Sequence, residues 1–245
     1  MGSNTIDLPA ARSPDAISAL QAAAISLYTA WSSKELESAL EKKAVPDHFV
    51  ASLNAFFDAY DAYIAVIDRE TSFHCRRGCV ACCTDNPRGT TPIELLRLYA
   101  HLQQREDFPE LRQTIKRQAI AFNELLQRTQ DESEAQRLWK FQRHPCPLLN
   151  ENALCSAYSV RPIPCRMFVS LTDPAWCDPA HPKYNSAVNP HLEPLPPMRR
   201  LLLEMGEKLG LDRLPTNLFG GLDELADIFD GTPFRFTTNK SNDAI

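Results

Sequence analysis

Apolar side chains recur every three or four residues along much of the chain, which predicts amphipathic helices with one buried face. The first of these stretches begins at Ser13-Pro14-Asp15, where a hydroxyl N-cap, a proline and an acid are typical of a helix start. Its apolar positions are Ile17, Leu20, Ala24, Leu27 and Trp31. Ser32 and Glu35 then have capping-box spacing, which predicts a short second helix carrying Leu36 and Leu40.

A third and longer helix is predicted to begin at Pro46. One stripe of this helix consists of Phe49, Leu53, Phe56, Phe57, Tyr60, Ile64 and Ile67. An apolar and aromatic stripe at this spacing is typical of a buried helix face. We therefore expect these residues to belong to the hydrophobic core.

Further helices are predicted before and after the proline-rich region of residues 145–197. Thr91-Pro92-Ile93-Glu94 has the residues of a capping box with proline at the first helical position. Helical periodicity continues at about 109–128 and 131–141, and returns after Pro197 and again from Leu222 to Gly231. The sequence therefore predicts a mainly α-helical protein.

Residues 145–197 hold 11 of the 19 prolines, which excludes long helices and central strands there. Such an irregular segment lacks the regular backbone hydrogen bonds of helices and sheets, so other interactions must stabilise it, and metal ligation is one candidate. The predicted organisation is a flexible arm at 1–12, a single helical metal-binding domain at 13–231 with its cysteine core at about 73–180, and a polar tail at 232–245.

All eight cysteines lie in the predicted cysteine core of this domain. A first stretch holds Cys75, Cys79, Cys82 and Cys83, a second stretch holds Cys146, Cys155 and Cys165, and Cys177 follows the second stretch. Cys79 and Cys82 have the spacing at which two thiolates chelate one metal ion. The adjacent side chains of Cys82 and Cys83 should point in different directions, so we expect them to serve different ions or different corners of one cluster.

Several residues beside the cysteines are further candidates. Arg76, Arg77, Arg161 and Arg166 could compensate thiolate charge, bind an anionic substrate or form ordinary ion pairs. His74 and His144 could ligate the metal or lie outside the ligand set. Cys177 is either an eighth ligand or a bystander thiol. Gly78 is suited to a tight turn that brings backbone N–H groups towards a thiolate.

Composition narrows the class of protein. The net charge of -5 and the absence of a basic block argue against nucleic acid as a partner. No stretch approaches the roughly 18 apolar residues of a membrane helix, and no secretory signal is apparent, so we expect a cytoplasmic protein. In a reducing compartment clustered thiols favour metal binding over a disulfide framework, which is the alternative. No nucleotide-binding fingerprint is present.

The cysteine region resembles the YkgJ-type cysteine-cluster family, which is described as zinc- or iron-chelating. The resemblance rests on Cys75-x3-Cys79-x2-Cys82-Cys83, on Thr91-Pro92-Ile93-Glu94-Leu95-Leu96-Arg97-Leu98, and on the segment from Cys146-Pro147-Leu148-Leu149 to Cys165-Arg166. It implies that seven cysteines, all except Cys177, form the metal-binding set. The same motif is similar to that of flagellin lysine-N-methylases, which implies an iron–sulfur cluster used with S-adenosylmethionine.

Three functions are consistent with these observations. The first is a protein that holds zinc or an iron–sulfur cluster, such as 4Fe-4S, through thiolates from both stretches. The second is a cluster-dependent enzyme that modifies a protein or peptide, by methyl transfer or redox chemistry. The third is a structural zinc module that presents helices to a partner protein. The sequence leaves open whether the protein is an enzyme and what its oligomeric state is.

Overall fold

The computed structural model describes residues 14–31, 38–75, 78–189, 196–230 and 232–236. Within these ranges the chain forms eight α-helices and no β-strand, which confirms the mainly α fold. The helices are α1 (Pro14–Trp31), α2 (Asp47–Thr71), α3 (Pro92–Leu102), α4 (Phe108–Thr129), α5 (Glu132–Gln142), α6 (Ile163–Met167), α7 (Pro196–Lys208) and α8 (Leu218–Phe229). Short 3-10 helices lie at Ala81–Thr84, Tyr158–Val160, Pro174–Cys177 and Tyr184–Ser186. The start of the predicted second helix, 32–37, lies outside the described residues, and Leu40 lies in a turn.

The aromatic stripe of α2 is part of the hydrophobic core, as predicted. Phe49, Leu53, Phe56, Phe57, Tyr60 and Ile67 are buried, and α1 packs along this helix. By length and composition α2 could also cross a membrane, which corrects the expectation that no stretch would meet that criterion. Its stripe packs in the protein core, and a core helix can be this apolar without a membrane.

The central helix is α3, in which every residue except His101 is buried. A helix that is enclosed on all sides needs neighbours that approach closely. Gly221 of α8 is one such contact, because a Cβ atom there would lie 2.3 Å from Leu95 Cδ1. Gly206 of α7 is another, since its Cβ atom would lie 2.6 Å from Pro92 Cγ. α3 is therefore packed against both C-terminal helices.

Helices α4 and α5 pack together through a buried tryptophan that also contacts α8. Trp139 is fully buried, and its ring lies 5.5 Å from that of Phe122 in α4 and 6.1 Å from that of Phe219 in α8. The N-cap of α5 is Asp131, whose Oδ1 accepts the backbone N–H of Glu134 at 2.9 Å. This packing fixes the direction of α5 and carries Lys140, in its last turn, towards the cysteines.

The proline-rich segment is irregular, as predicted. Within its described part, up to residue 189, the longest helix is α6, which has five residues.

Hydrogen bonds connect the end of the first cysteine stretch to the C-terminal helices. Asn86 Nδ2 donates to Asn217 Oδ1 at 3.1 Å, and the N–H of Leu218 donates to the carbonyl of Pro87 at 2.9 Å.

Packing continues past the predicted boundary at residue 231. Phe234 and Phe236 are buried, and Arg235 is paired by backbone hydrogen bonds with residues on either side of Ala44. Phe234 and Phe236 therefore belong to the core, in a stretch where the sequence had predicted the start of a polar tail. The polar residues from 237 onward lie outside the described residues.

Candidate metal centre

The first cysteine stretch starts where α2 ends. Ser72 takes a left-handed conformation with φ 57°, and the N–H of Phe73 donates to Asp68 Oδ1 at 2.7 Å. Phe73 is buried, so the chain leaves α2 in a fixed direction just before Cys75. Gly78 has φ +86°, a conformation that L side chains rarely adopt, and this allows the turn that leads to Cys79.

Cys82 and Cys83 lie in the 3-10 helix Ala81–Thr84, which packs against Pro174–Cys177. Contrary to the simple expectation of divergent side chains, the two thiols are within hydrogen-bonding reach. Cys83 is the first cause, ahead of burial, that raises the pKa of the Cys82 thiol well above its usual range. Cys82 and Cys83 therefore place two neighbouring sulfur donors at one position in the structure.

Ser170 hydrogen-bonds both Cys75 and Cys177, which no sequence motif predicts. Its carbonyl accepts the N–H of His74 at 2.9 Å, its backbone donates to Cys75, and its hydroxyl bonds Cys177. Burial raises the pKa of Cys75 to about 11, and the neighbouring thiols of Cys79, Cys82 and Cys177 add to this rise. We call Cys75, Cys79 and Cys177 the first trio.

A tight hairpin brings Cys146 and Cys155 together. The N–H of Asn150 donates to the carbonyl of Leu154 at 2.9 Å, and that of Ser156 donates to Leu148 at 2.8 Å. The hairpin adjoins the first stretch, because the N–H of Cys146 donates to the carbonyl of Cys83 at 2.6 Å. Two distant parts of the sequence thus meet at their cysteines.

Cys165 lies on α6, and Glu94 of α3 holds the start of that helix. Glu94 Oε1 accepts the N–H of Ile163 at 2.5 Å, while Oε2 accepts the N–H and hydroxyl of Thr91 at 2.8 and 2.7 Å. The second contact is the capping box predicted from sequence; the first was not predicted. We call Cys146, Cys155 and Cys165 the second trio.

The thiols of the second trio interact with one another and with Cys82. Burial raises the pKa of Cys146 to about 12, with further contributions from Cys155 and Cys82. Burial is also the largest cause that raises the pKa of Cys165 well above its usual range, and the thiols of Cys146, Cys82 and Cys155 raise it further. Backbone hydrogen bonds from Leu148 to Cys146 and from Ala157 to Cys155 act in the opposite direction and favour the thiolates.

Lys140 was not among the candidate residues, but it is a buried cation beside the cysteines. Only 9% of the residue is exposed, and its Nζ lies 3.6 Å from Asp85 Oδ2. Its charge lowers the pKa of Cys82 and of Cys177, against the larger effects that raise them. Lys140 therefore favours the thiolates of Cys82 and Cys177.

The predicted arginines have different roles. Arg161 lies 3.7 Å from the centroid of the Tyr158 ring and lowers the pKa of Cys155 and Cys165, which supports a charge-compensating role. Arg166 is buried and pairs with Asp61 of α2, so it serves the packing of α6 and is not available to an anionic substrate. Arg76 and Arg77 lie outside the described residues.

The two histidines are placed differently from the thiols. The His144 ring stacks on Trp139 with centroids 4.2 Å apart, and its Nε2 lies 2.9 Å from Gln142 Oε1. The ring of His144 is therefore held by Trp139 and Gln142 of α5. His74 is exposed.

The chemistry of the donor set fits zinc or iron. All eight cysteines are free thiols; Cys177 is buried and the others are half-buried. Soft thiolates are the usual ligands of zinc and of iron–sulfur clusters, and N–H donors near sulfur are typical of both. As placed, no three Cys, His, Asp or Glu side chains of the described residues form a set that could hold one metal ion. A metal would therefore have to draw the neighbouring thiols together.

Comparison with known families agrees with this donor set. Residues 74–182 match the family model CxxCxxCC, described as a "Putative zinc- or iron-chelating domain". This cysteine-bearing region is similar to that family, in agreement with the resemblance seen in the sequence, and the match includes Cys177. The match does not extend to α1, α2, α7 or α8, nor does it test the likeness to flagellin lysine-N-methylases. No curated protein and no solved structure matches the chain.

Proposed function

We propose that the protein binds zinc or an iron–sulfur cluster through thiolates supplied by both cysteine stretches. One observation carries the proposal. Burial and neighbouring thiols raise the pKa of several cysteines from both stretches, with Cys82 among the neighbours of each. Closely spaced, buried thiols resist ionisation when each must bear its own negative charge. A metal ion removes that resistance, because it replaces the protons and neutralises the thiolates.

The metal is also proposed to stabilise the fold. Its ligands come from segments as far apart in sequence as Cys75 and Cys165, so one centre closes a long loop of chain. The segment from Pro145 to residue 189 has little regular structure of its own. Binding free energy in such a protein appears as folding free energy. Metal loss should therefore lower the melting temperature as well as the metal content.

Metal and sulfide analysis of the full chain, purified without oxygen, tests the proposal and identifies the metal. Iron with acid-labile sulfide and a brown colour would establish a cluster, whereas zinc in colourless protein would establish a zinc site. Cys82→Ser should lose metal and melt at a lower temperature, while His144→Ala serves as a control that should keep its metal. Protein with neither metal nor sulfide, before and after anaerobic reconstitution, would refute the proposal.

A cleft beside α6 favours a second candidate, a cluster-dependent enzyme. Among the residues that line the cleft are Arg88, Arg199, Pro164 and Met167. Pro164 and Met167 flank Cys165 in sequence, so a ligand in this cleft would lie next to the helix that carries a proposed metal ligand. The space inside the cleft is about 30 Å³, room for about two waters, so a cosubstrate would bind only where the cleft widens.

In this second candidate the cleft accepts S-adenosylmethionine or another cosubstrate, and a protein or peptide is modified. Calorimetry with S-adenosylmethionine and the metal-loaded full chain tests this role. Saturable binding that Arg199→Ala weakens would support it, and an absence of binding would remove this cosubstrate. Under either candidate we propose that the protein works in the cytoplasm, where reducing conditions keep the thiols available to metal.

A further inference from the structure

We propose that the ammonium group of Lys140 is a fixed cation of the metal centre, and that the rings of Tyr184 and Phe168 are the positioning groups that hold it there. The inference rests on the proposed function and deepens it, because it names residues outside the thiol set on which metal binding depends. A metal ion or cluster held by several thiolates keeps an excess of negative charge, which a nearby cation stabilises. That benefit requires the ammonium group to stay in place, since water hydrates it strongly.

Lys140 contacts residues at the ends of two helices that carry cysteines. Its Nζ lies 3.6 Å from Oδ2 of Asp85, the residue that follows the cysteine-bearing 3-10 helix Ala81–Thr84. The same Nζ lies 5.5 Å from the ring centroid of Phe168, the residue that follows α6 and its Cys165. One ammonium group is thus next to two separate cysteine-bearing segments.

Tyr184 connects a third cysteine-bearing segment to the same ammonium group. The centroid of its ring lies 5.5 Å from Lys140 Nζ. Tyr184 begins the 3-10 helix Tyr184–Ser186, which packs against Pro174–Cys177. That second helix packs in turn against Ala81–Thr84. Lys140 therefore lies where three elements of the cysteine region meet.

The surroundings of Lys140 favour an inward position of its ammonium group. Only 11% of its side chain is exposed, although lysine ordinarily keeps its charge in water. A cation within about 6 Å of the centroid of an aromatic ring is attracted to the face of that ring, and more strongly where water is excluded. Two rings at this distance therefore oppose an extension of Lys140 into solvent.

The ring of Tyr184 is itself fixed by contacts that involve no thiol. Phe141, the residue after Lys140 in α5, packs edge-on against this ring with centroids 6.2 Å apart. The N–H of Tyr184 donates to the carbonyl of His181 at 2.9 Å, and the N–H of Ala187 donates to the carbonyl of Tyr184 at 3.1 Å. Side chain and backbone thus both hold the ring beside Lys140.

The carboxylate of Asp85 does not hold the ammonium group by itself. Nε2 of Gln136, one turn before Lys140 in α5, donates to Oδ1 of Asp85. The other oxygen, Oδ2, is 3.6 Å from Lys140 Nζ, which is longer than a hydrogen bond. The rings of Tyr184 and Phe168 therefore supply contacts that the carboxylate lacks.

Titration of Co²⁺ into the metal-free full chain tests the effect on metal binding. Thiolate sites that take zinc or iron also bind Co²⁺, and the sulfur-to-cobalt charge-transfer absorption reports the binding. Tyr184→Leu keeps an apolar side chain against Phe141 but removes the ring, and we expect its Co²⁺ dissociation constant to rise roughly three- to tenfold. Tyr184→Phe restores the ring and should match the wild type. Tyr28→Leu, at an exposed tyrosine of α1, is the control and should also match it.

A double variant separates positioning from a purely structural role. In a Lys140→Met chain the ring has no ammonium group to hold, so adding Tyr184→Leu should weaken Co²⁺ binding no further. A ring that served only to pack the fold would weaken binding equally in both backgrounds. Circular dichroism identifies variants that fail to fold, and Phe168→Leu, which removes the other ring, provides a second variant with the same expected result.

Amine labelling supplies a measurement that needs no metal. With an acylating reagent and mass spectrometry, Lys140 of the metal-free wild type should react about tenfold more slowly than Lys116, whose side chain is 50% exposed. In Tyr184→Leu the labelling of Lys140 should become faster, while that of Lys116 should stay the same. This result would show that the ring holds the ammonium group in the absence of metal.

Three results would overturn the inference. One is a folded Tyr184→Leu chain that binds Co²⁺ as tightly as the wild type, and another is an equal weakening in the wild-type and Lys140→Met backgrounds. The third is a wild-type Lys140 that is labelled as fast as Lys116. Each leaves the proposed function standing, because the wild type still binds metal. A wild type that takes up neither Co²⁺, zinc nor iron would instead remove the proposed function, and this inference with it.

Discussion

Glu94 is the residue whose substitution tests most directly how the helices support the cysteines. Its carboxylate is buried and accepts three hydrogen bonds, two from Thr91 and one from the N–H of Ile163 at the start of α6. A hydrogen bond to a charged group contributes about 1.5–3 kcal/mol, and burial of the charge offsets part of the sum. The raised pKa of Glu94, caused first by burial, reflects that opposing cost.

Glu94→Ala leaves three buried donors without their acceptor, and we expect it to lower the free energy of unfolding by about 3–5 kcal/mol. For a chain of this size the melting temperature should fall by roughly 6–20 °C. Glu94→Gln is more selective, because glutamine can keep the capping box but its amide group cannot accept at both ends. If its oxygen stays with Thr91, the N–H of Ile163 loses its partner, at a cost of about 1–3 kcal/mol.

Thermal melts and metal content of both variants provide the assay. Glu94→Gln should keep the helical circular dichroism of the wild type yet release metal faster to a chelator, because α6 carries Cys165. Glu134→Ala is the matched control: Glu134 is an exposed carboxylate whose partner is Arg137 in the same helix, and its loss should leave the melting temperature unchanged. A Glu94→Ala chain that melts with the wild type would refute the reasoning.

Two other predictions concern charge near the thiols. Lys140→Met replaces a buried cation with a neutral side chain of similar length. Because the charge of Lys140 lowers the pKa of Cys82, chelator competition should show metal affinity roughly 10- to 100-fold weaker, which corresponds to about 1.4–2.8 kcal/mol, while Lys116→Met, at an exposed lysine of α4, should not change it. In the metal-free chain the folded-state pKa of Cys146 lies at about 12, above the ordinary 9.0. Between pH 9 and pH 12 the folded state therefore binds more protons than the unfolded state. The contribution of Cys146 to the stability of the metal-free chain is complete below pH 9 and is lost as the pH rises towards 12. The metal-free protein should thus denature at a lower alkaline pH than the loaded protein, and denaturation that begins no earlier would contradict the reasoning.

The helices could be predicted because each has local signals. The capping box at Thr91 and Glu94, the stripe of α2 and the Asp131 cap of α5 are all encoded within a few residues. The end of the core could not be predicted in this way. Phe234 and Phe236 stand in a polar stretch, and only their long-range packing shows that they are buried.

The cysteines of the candidate site were apparent from sequence, but the groups around them were not. Lys140 lies in a helix with ordinary periodicity, and its proximity to Cys82 depends on how α5 packs through Trp139. Ser170 lies in an irregular segment without a motif. Conversely, Arg166 stood out because it follows Cys165, yet its charge is engaged by Asp61. In an irregular segment, a position next to a cysteine in the sequence is thus a poor guide to whether a cation compensates the charge of the thiolate.

The helices outside the family match are also part of the support for the second trio. Arg166, next to Cys165, pairs with Asp61 and lies over the ring of Phe57, both in α2. Arg97 of α3 lies over the same ring at 4.5 Å and is held by Asn54, so α2, α3 and α6 meet at one aromatic side chain. A change at Phe57 would loosen the helix that carries Cys165 without touching a thiol. The cysteines therefore supply the donors, while helices on both sides of the matched region fix where those donors lie.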